Sequence, residues 1–169
     1  MCCRYKHIHA LKWQTFDFPN GMVGDMWGPV GGPHNDRFLL KYSRINTRMA
    51  LLQQQQHIQY RMYGDGIYCV LSHMRRAYKN APNTPRQIVK NEANKRTRVS
   101  IEWNYGETSN LFQFIDYTKN AKVCGSGGNN IAKCYFIATL MRNCHVCLYH
   151  NETSEYFGVE PPALEVYMA

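Results

Sequence analysis

The sequence predicts an α/β fold that opens on a β-hairpin and carries a mixed sheet. Three features predict it: apolar alternation of period two near the start, a further alternating segment around residue 60, and two long helical patterns in the second half.

From Tyr5 to Phe18, the residues Ile8, Ala10, Trp13, Phe16 and Phe18 interleave with polar ones, as along a half-buried strand. Pro19-Asn20-Gly21 supplies turn chemistry, because Pro presets φ and Asn-Gly tolerates positive φ. Met22 to Trp27 is then the returning strand, and Gly28-Pro29 is expected to end it. After Gly31-Gly32-Pro33, Asn35 or Asp36 can cap a short helix with Phe38, Leu39 and Leu40 on one side. Asn46 or Thr47 can begin another, running through Met49, Leu51 and Leu52 into Gln53–Gln56. Ile58, Tyr60 and Met62 alternate with Gln59, Arg61 and Tyr63, a strand stopped by Gly64-Asp65-Gly66. Asp65 is thereby expected at a strand's C-terminal end.

Residues 80–83 read as a loop, and Thr84-Pro85-Arg86-Gln87 is a helix start. Thr84 can cap, Pro85 suits the first helical position, and Gln87 can reach back in a capping box. This helix is expected to run to Tyr105 and stop at Gly106, with a basic surface of Arg86, Lys90, Lys95, Arg96 and Arg98. A glycine-rich loop, Gly125 to Gly128, precedes a last long helix capped by Asn129 or Asn130. Its expected inward stripe is Ile131, Cys134, Tyr135, Ala138, Met141, His145 and Leu148. No internal repeat or long linker divides the 169 residues, which fit one domain.

With 44% apolar and 19% charged residues, the chain belongs with globular rather than disordered sequences. Lys and Arg number 20 against 12 Asp and Glu, a formal +8, so the summed field attracts polyanions and favours nucleic acid as partner. A solvated basic surface that only aids solubility is the plainer alternative. The seven cysteines form an odd set without regular spacing and follow no apolar signal segment, which points to a reducing compartment rather than secretion. Lys133, Arg142, Asn143 and His145 interrupt the apolar stretch from Ile131 to Tyr149, so it is a poor membrane span. The expectation is a soluble intracellular protein with no membrane partner.

Two carboxylates stand out by context: Asp65 after a strand, and Glu102 on the basic helix within Ser100-Ile101-Glu102-Trp103-Asn104-Tyr105-Gly106. Hard divalent cations take oxygen ligands, and Mg²⁺ is commonly held by one or two carboxylates plus substrate phosphates. Two such ions about 3.5–4 Å apart can activate the attacking oxygen and stabilise the leaving oxygen of a phosphodiester displacement. The plainer account stays open at this point. Asp beside Gly is an ordinary turn residue, and Glu102 four residues after Arg98 is an ordinary helical ion pair.

Four blocks, in order, resemble Harbinger-type DDE transposases. The first is Tyr5-Lys6-His7-Ile8-His9-Ala10-Leu11-Lys12-Trp13-Gln14, then Pro19-Asn20-Gly21, then Gly28-Pro29-Val30-Gly31-Gly32-Pro33-His34-Asn35-Asp36. It is similar to the family's hairpin, turn and "G-P-V-x-G" segment leading to an acidic residue. Tyr63-Gly64-Asp65-Gly66-Ile67-Tyr68 resembles its "G-D-x-x-Y" strand end, and Arg98 to Gly106 its "R-x-x-x-E-W-x-x-G" helix. Asn143 to Tyr149, with Tyr156-Phe157 and Pro161-Pro162, resembles the close of the same domain.

The resemblance implies an RNase H-like mixed sheet with flanking helices, and an Asp-Asp-Glu endonuclease site binding two Mg²⁺ or Mn²⁺ ions. Asp65 matches the second carboxylate, Glu102 the third, and Asp36 the acidic residue after the hairpin. His34 lies one place earlier than the family's histidine, with Asn35 between. In the family the first carboxylate sits on a strand before the hairpin. Here no Asp or Glu precedes Asp17, and Asp17 and Asp25 fall in the hairpin, so neither replaces it by position. The expected domain is therefore an N-terminally truncated one lacking that first strand, with little or no autonomous catalysis. Lys90, Lys95, Arg96 and Arg98 would position DNA phosphates. The partners implied are DNA, a separate DNA-binding protein and further copies of the chain, and the compartment implied is the nucleus. A catalytically silent DNA-binding or protein-interaction module is the alternative.

Two weaker signals complete the reading. Cys144-His145-Val146-Cys147, with Cys2, Cys3, His7 and His9, invites a zinc site, but structural zinc needs four ligands in tetrahedral reach, and the stretch equally fits a buried helix face. Gly125-Ser126-Gly127-Gly128 is similar to a phosphate cradle, but the lysine and hydroxyl of a P-loop do not follow it.

Overall fold

The computed structural model describes residues 2–3, 8–9, 11–64, 73–75, 77–78, 84–115 and 128–169. The chain divides into two compact units, one of Met1–Gln14 and Trp27–Val99, the other of Thr15–Met26 and Ser100–Ala169. Helices and small sheets are both present, so the predicted α/β character holds.

Strand β1 (Cys2–Cys3) pairs antiparallel with β2 (Ile8–His9). The expected hairpin follows as β3 (Leu11–Asp17) and β4 (Val23–Gly31), paired in a two-stranded sheet. Its turn forms where Pro19-Asn20-Gly21 predicts it. The Phe18 N–H donates to the Met22 carbonyl at 2.9 Å, the Gly21 N–H donates to the Phe18 carbonyl at 3.0 Å, and Gly21 takes φ 83°. Gly28-Pro29 does not end β4, which continues to Gly31. In a two-stranded sheet each strand has an open edge, so a proline without an N–H need not break a ladder bond. Gly28 sits at φ 140°, where an added Cβ would lie 2.8 Å from the Lys12 carbonyl oxygen.

Helix α1 (Asp36–Ser43) starts where Asn35 caps it, its side chain accepting from the Phe38 N–H at 3.0 Å. Arg44 turns left-handed at φ 55° and leads into α2 (Ile45–Gln56). Leu39, Leu40, Ile45 and Met49 are buried on these two helices. The strand expected around residues 58–63 shrinks to β5 (Met62–Tyr63), whose parallel partner β6 (Met74–Arg75) is itself two residues long. Ile58 is left exposed, while Met62 and Met74, directly opposite each other, are buried. Among the described residues the strands thus make three two-stranded sheets, not the single mixed sheet expected.

Helix α3 (Pro85–Leu111) begins with the predicted capping box. The Thr84 N–H donates to Gln87 Oε1 at 2.8 Å, and the Gln87 N–H donates to Thr84 Oγ1 at 3.4 Å. The helix does not stop at Gly106. A helical glycine costs only about 1 kcal/mol, and the next residue, Glu107, is tied into a buried polar cluster that outweighs this.

A 3₁₀ turn (Gln113–Ile115) follows, then α4 (Gly128–Tyr149), α5 (Glu152–Phe157) and α6 (Leu164–Met168). Asn151 and Ser154 form a reciprocal cap on α5, which Gly158 closes at φ 61°. The face of α4 that turns inward is not the expected stripe. Ala138, Thr139, Arg142, Asn143 and Val146 are buried, whereas Met141 and Leu148 are exposed. Of the four residues that interrupt the apolar pattern, Arg142 and Asn143 are the ones the helix buries, and both find partners inside, whereas Lys133 stays exposed and His145 half-buried. No helix among the described residues is long and apolar enough to cross a membrane.

Candidate metal centre

Of the three expected carboxylates, Asp65 lies outside the described residues. Asp36 is half-buried in the first turn of α1, where a negative charge also suits the helix N-terminus. Glu102 is exposed on α3. Asp36 belongs to the first compact unit and Glu102 to the second. Among the described residues, no group of three or more His, Cys, Asp or Glu side chains is placed to hold a metal ion.

Around this set the structure fixes several neighbours. His34 stacks on Phe38, ring centroids 4.0 Å apart, and its carbonyl accepts from Lys12 Nζ at 2.9 Å. Lys90, Lys95, Arg96 and Arg98 are all exposed on α3. Arg96 Nε stands 3.5 Å from Glu92 Oε1, an exposed pair one turn apart of the kind that contributes little to stability. The glycine loop at 125–127 lies outside the described residues, as does His7.

The second unit holds a buried polar cluster that the sequence reading missed. Arg142 is completely buried. Its Nε and Nη2 both donate to Glu107 Oε2, at 3.0 and 2.7 Å, and Nη2 also donates to Asn104 Oδ1 at 2.5 Å. Asn151 Nδ2 donates to the same Glu107 oxygen at 2.9 Å, and Thr153 Oγ1 donates to Asn104 Oδ1 at 3.1 Å. The neighbouring Asn143 clamps the hairpin: its Oδ1 accepts from the Val23 N–H at 2.9 Å and its Nδ2 donates to the Val23 carbonyl at 2.8 Å.

No protein-family model, curated protein or solved structure matches this chain.

Asp17, at the end of β3, is the second carboxylate of that cluster. Burial pushes its carboxyl up from 3.8 to about 6, while Asn104 and the Arg142 guanidinium pull the other way. Its Oδ1 is buried without a hydrogen-bond partner among the described residues. The same surroundings push the Tyr135 hydroxyl up, first by burial and then through Tyr105 and Asp17. A carboxyl that titrates near neutrality next to a fixed cation can hold or release a proton, but it offers divalent metal a poor seat, because Arg142 already supplies the positive charge. This cluster is the internal frame that holds α3, α4 and the hairpin end within the second unit.

One cue to it was present in the sequence. Arg142 and Asn143 break an otherwise apolar helix in mid-length, and charged residues are almost never fully buried without a partner. The partners are 35 and 38 residues away in Glu107 and Asn104, a pairing no local spacing rule reaches.

Proposed function

We propose that this chain is a DDE-type endonuclease or transposase domain of RNase H-like descent, acting on DNA phosphodiesters with Mg²⁺ or Mn²⁺. Asp65 and Glu102 are its metal ligands, and Asp36 is a further carboxylate of the site. The observation that carries this reading is an exposed Glu102 on a long unbroken helix whose upstream turns bear exposed Lys90, Lys95, Arg96 and Arg98. Lys95, Arg98 and Glu102 recur at the three- and four-residue spacings that put helical side chains on one face. A carboxylate beside cations on such a face suits a bound metal next to a phosphate backbone. The ordered motif blocks and the mixture of helices with short strands support the same assignment. The metal ions would supply charge to the reacting phosphate, and the basic residues would hold the DNA strand in register.

A metal-binding readout tests the assignment without depending on turnover. Mn²⁺ titrated into the chain and followed by its paramagnetic resonance is expected to bind at least about tenfold more weakly to Glu102→Gln, a difference of about 1.4 kcal/mol. Equal binding by the two proteins removes Glu102 from the site.

A second reading, a catalytically silent DNA-binding module, is favoured by the net charge of +8 together with the exposed Lys90, Lys95, Arg96 and Arg98. Metal-independent DNA binding, with no cleavage of a labelled duplex in Mg²⁺ or Mn²⁺, selects it over the first.

A further inference from the structure

Within the second unit, two cysteines of α4 and a methionine of α6 form a sulfur-bearing group that the buried polar cluster does not use. Cys144 and Cys147 sit three residues apart on the helix, the spacing that makes side chains neighbours on one face. Cys144 Sγ lies 3.8 Å from Met168 Sδ in α6. All three are partly or fully accessible, and Cys144 and Cys147 are free thiols. The third sulfur is held in place near the chain's end. Asn143 Nδ2, one residue before Cys144, donates to the hydroxyl of Tyr167, one residue before Met168, at 3.1 Å.

We propose that Cys144, Cys147 and Met168 form a binding site for a soft monovalent metal ion, Cu⁺. Sulfurs sharing one ion at a metal–sulfur distance of about 2.3 Å stand about 3.8 Å apart in tetrahedral geometry and about 4.0 Å apart in trigonal geometry. The Cys144–Met168 separation already matches. Ligand chemistry then selects the ion. Thiolate and thioether are soft donors that suit Cu⁺, whereas a thioether is a poor ligand for Zn²⁺. Structural zinc also takes four donors, whereas this group offers three sulfurs, one of them a thioether. Binding releases the two thiol protons and forms bonds from both thiolates and from a thioether lone pair to copper, with no electron transferred.

The test is a competition titration of the fully reduced chain with Cu⁺ against bicinchoninate, under anaerobic conditions. Because the chain has seven cysteines, the readout is the difference between proteins. Cys144→Ser with Cys147→Ser is expected to bind one fewer Cu⁺ than the unaltered chain. Met168→Leu, at an exposed position where folding is not at stake, is expected to keep that equivalent but bind it at least about tenfold more weakly. Equal stoichiometry in the double variant overturns the site. Equal affinity in Met168→Leu removes the thioether and overturns the three-sulfur assignment, as does displacement of Cu⁺ by equimolar Zn²⁺. Mn²⁺ binding at Glu102 is unaffected by any of these changes, so the two proposals fail separately.

Discussion

The buried guanidinium of Arg142 gives two of its N–H groups to a single carboxylate oxygen of Glu107, 35 residues earlier on the neighbouring helix. Glu107 keeps 23% of its side chain exposed, while Arg142 keeps none. The pair is therefore asymmetric: water can solvate the anion once the contact is lost, but it cannot reach the cation. Glu107→Gln preserves shape and one acceptor but removes the charge that balances Arg142. Breaking one side of a buried pair costs about 3–5 kcal/mol, and the retained acceptor and partial exposure place this change near about 3 kcal/mol. Urea unfolding of the two proteins measures it, and a loss below about 1 kcal/mol would show that Arg142 does not depend on this carboxylate.

Asp17 makes stability depend on pH in the opposite sense to an ordinary salt-bridged aspartate. Its folded value of about 6 lies above the reference value of 3.8, so between those limits the folded state binds the proton more readily than the unfolded chain. The protein is then expected to lose stability as pH rises from about 4 to about 6, and to lose no more from this group above that. The gap corresponds to about 3 kcal/mol at most. Asp17→Asn should flatten that slope and leave the protein more stable at pH 7. Urea midpoints across this range test both halves, and an unchanged slope in the variant rejects the assignment to Asp17.

Two glycines predict opposite outcomes for the same substitution. Gly21 has φ 83°, and a Cβ there would fall 2.0 Å from Asn151 Oδ1, the atom that accepts from the Ser154 N–H to cap α5. Gly21→Ala combines left-handed backbone strain with displacement of that cap, a loss of about 2–3 kcal/mol. Gly106 lies inside α3 with nothing within 4 Å of an added Cβ. Gly106→Ala should therefore stabilise by about 0.5–1 kcal/mol through lower unfolded-state entropy and better helix propensity. Thermal unfolding that moves both variants in one direction contradicts this account.

What was legible in the sequence is what short-range chemistry decides. The Pro19-Asn20-Gly21 turn, the Asn35 cap and the Thr84–Gln87 capping box each involve groups within three or four residues, and each forms as read. Where distant residues decide, the local reading fails. Gly106 signals a helix end, but packing around Glu107 and Thr108 carries α3 on to Leu111. The apolar stripe expected on α4 gives way to a face rotated toward Arg142 and Asn143, because buried polar groups must be paired and their partners lie on α3 and the hairpin. Alternation from Ile58 to Tyr63 suggests a full strand, yet among the described residues only Met62 and Tyr63 find strand partners, in Met74 and Arg75, which lie beyond local reach in sequence. Of the candidate site, Glu102 and the basic residues fall on an exposed helix as expected, whereas Asp17 went unrecognised because its neighbour Arg142 is distant in sequence.

The basic turns of α3 make the last prediction. If Lys90, Lys95, Arg96 and Arg98 track a phosphate backbone, DNA binding releases condensed counterions, and the logarithm of the affinity falls linearly with the logarithm of salt concentration. Each phosphate neutralised contributes about 0.9 to the slope on duplex DNA. Lys90→Ala and Lys95→Ala are both exposed substitutions that leave the fold intact, and each is expected to reduce the slope by about one while weakening binding to all sequences alike. Glu102→Gln removes a negative charge from the same helix and should strengthen metal-free binding, because it takes a repulsive group away from the phosphates. Fluorescence anisotropy of a labelled duplex across a salt series measures all three. A slope that neither lysine substitution changes means that DNA, if bound, lies on another surface.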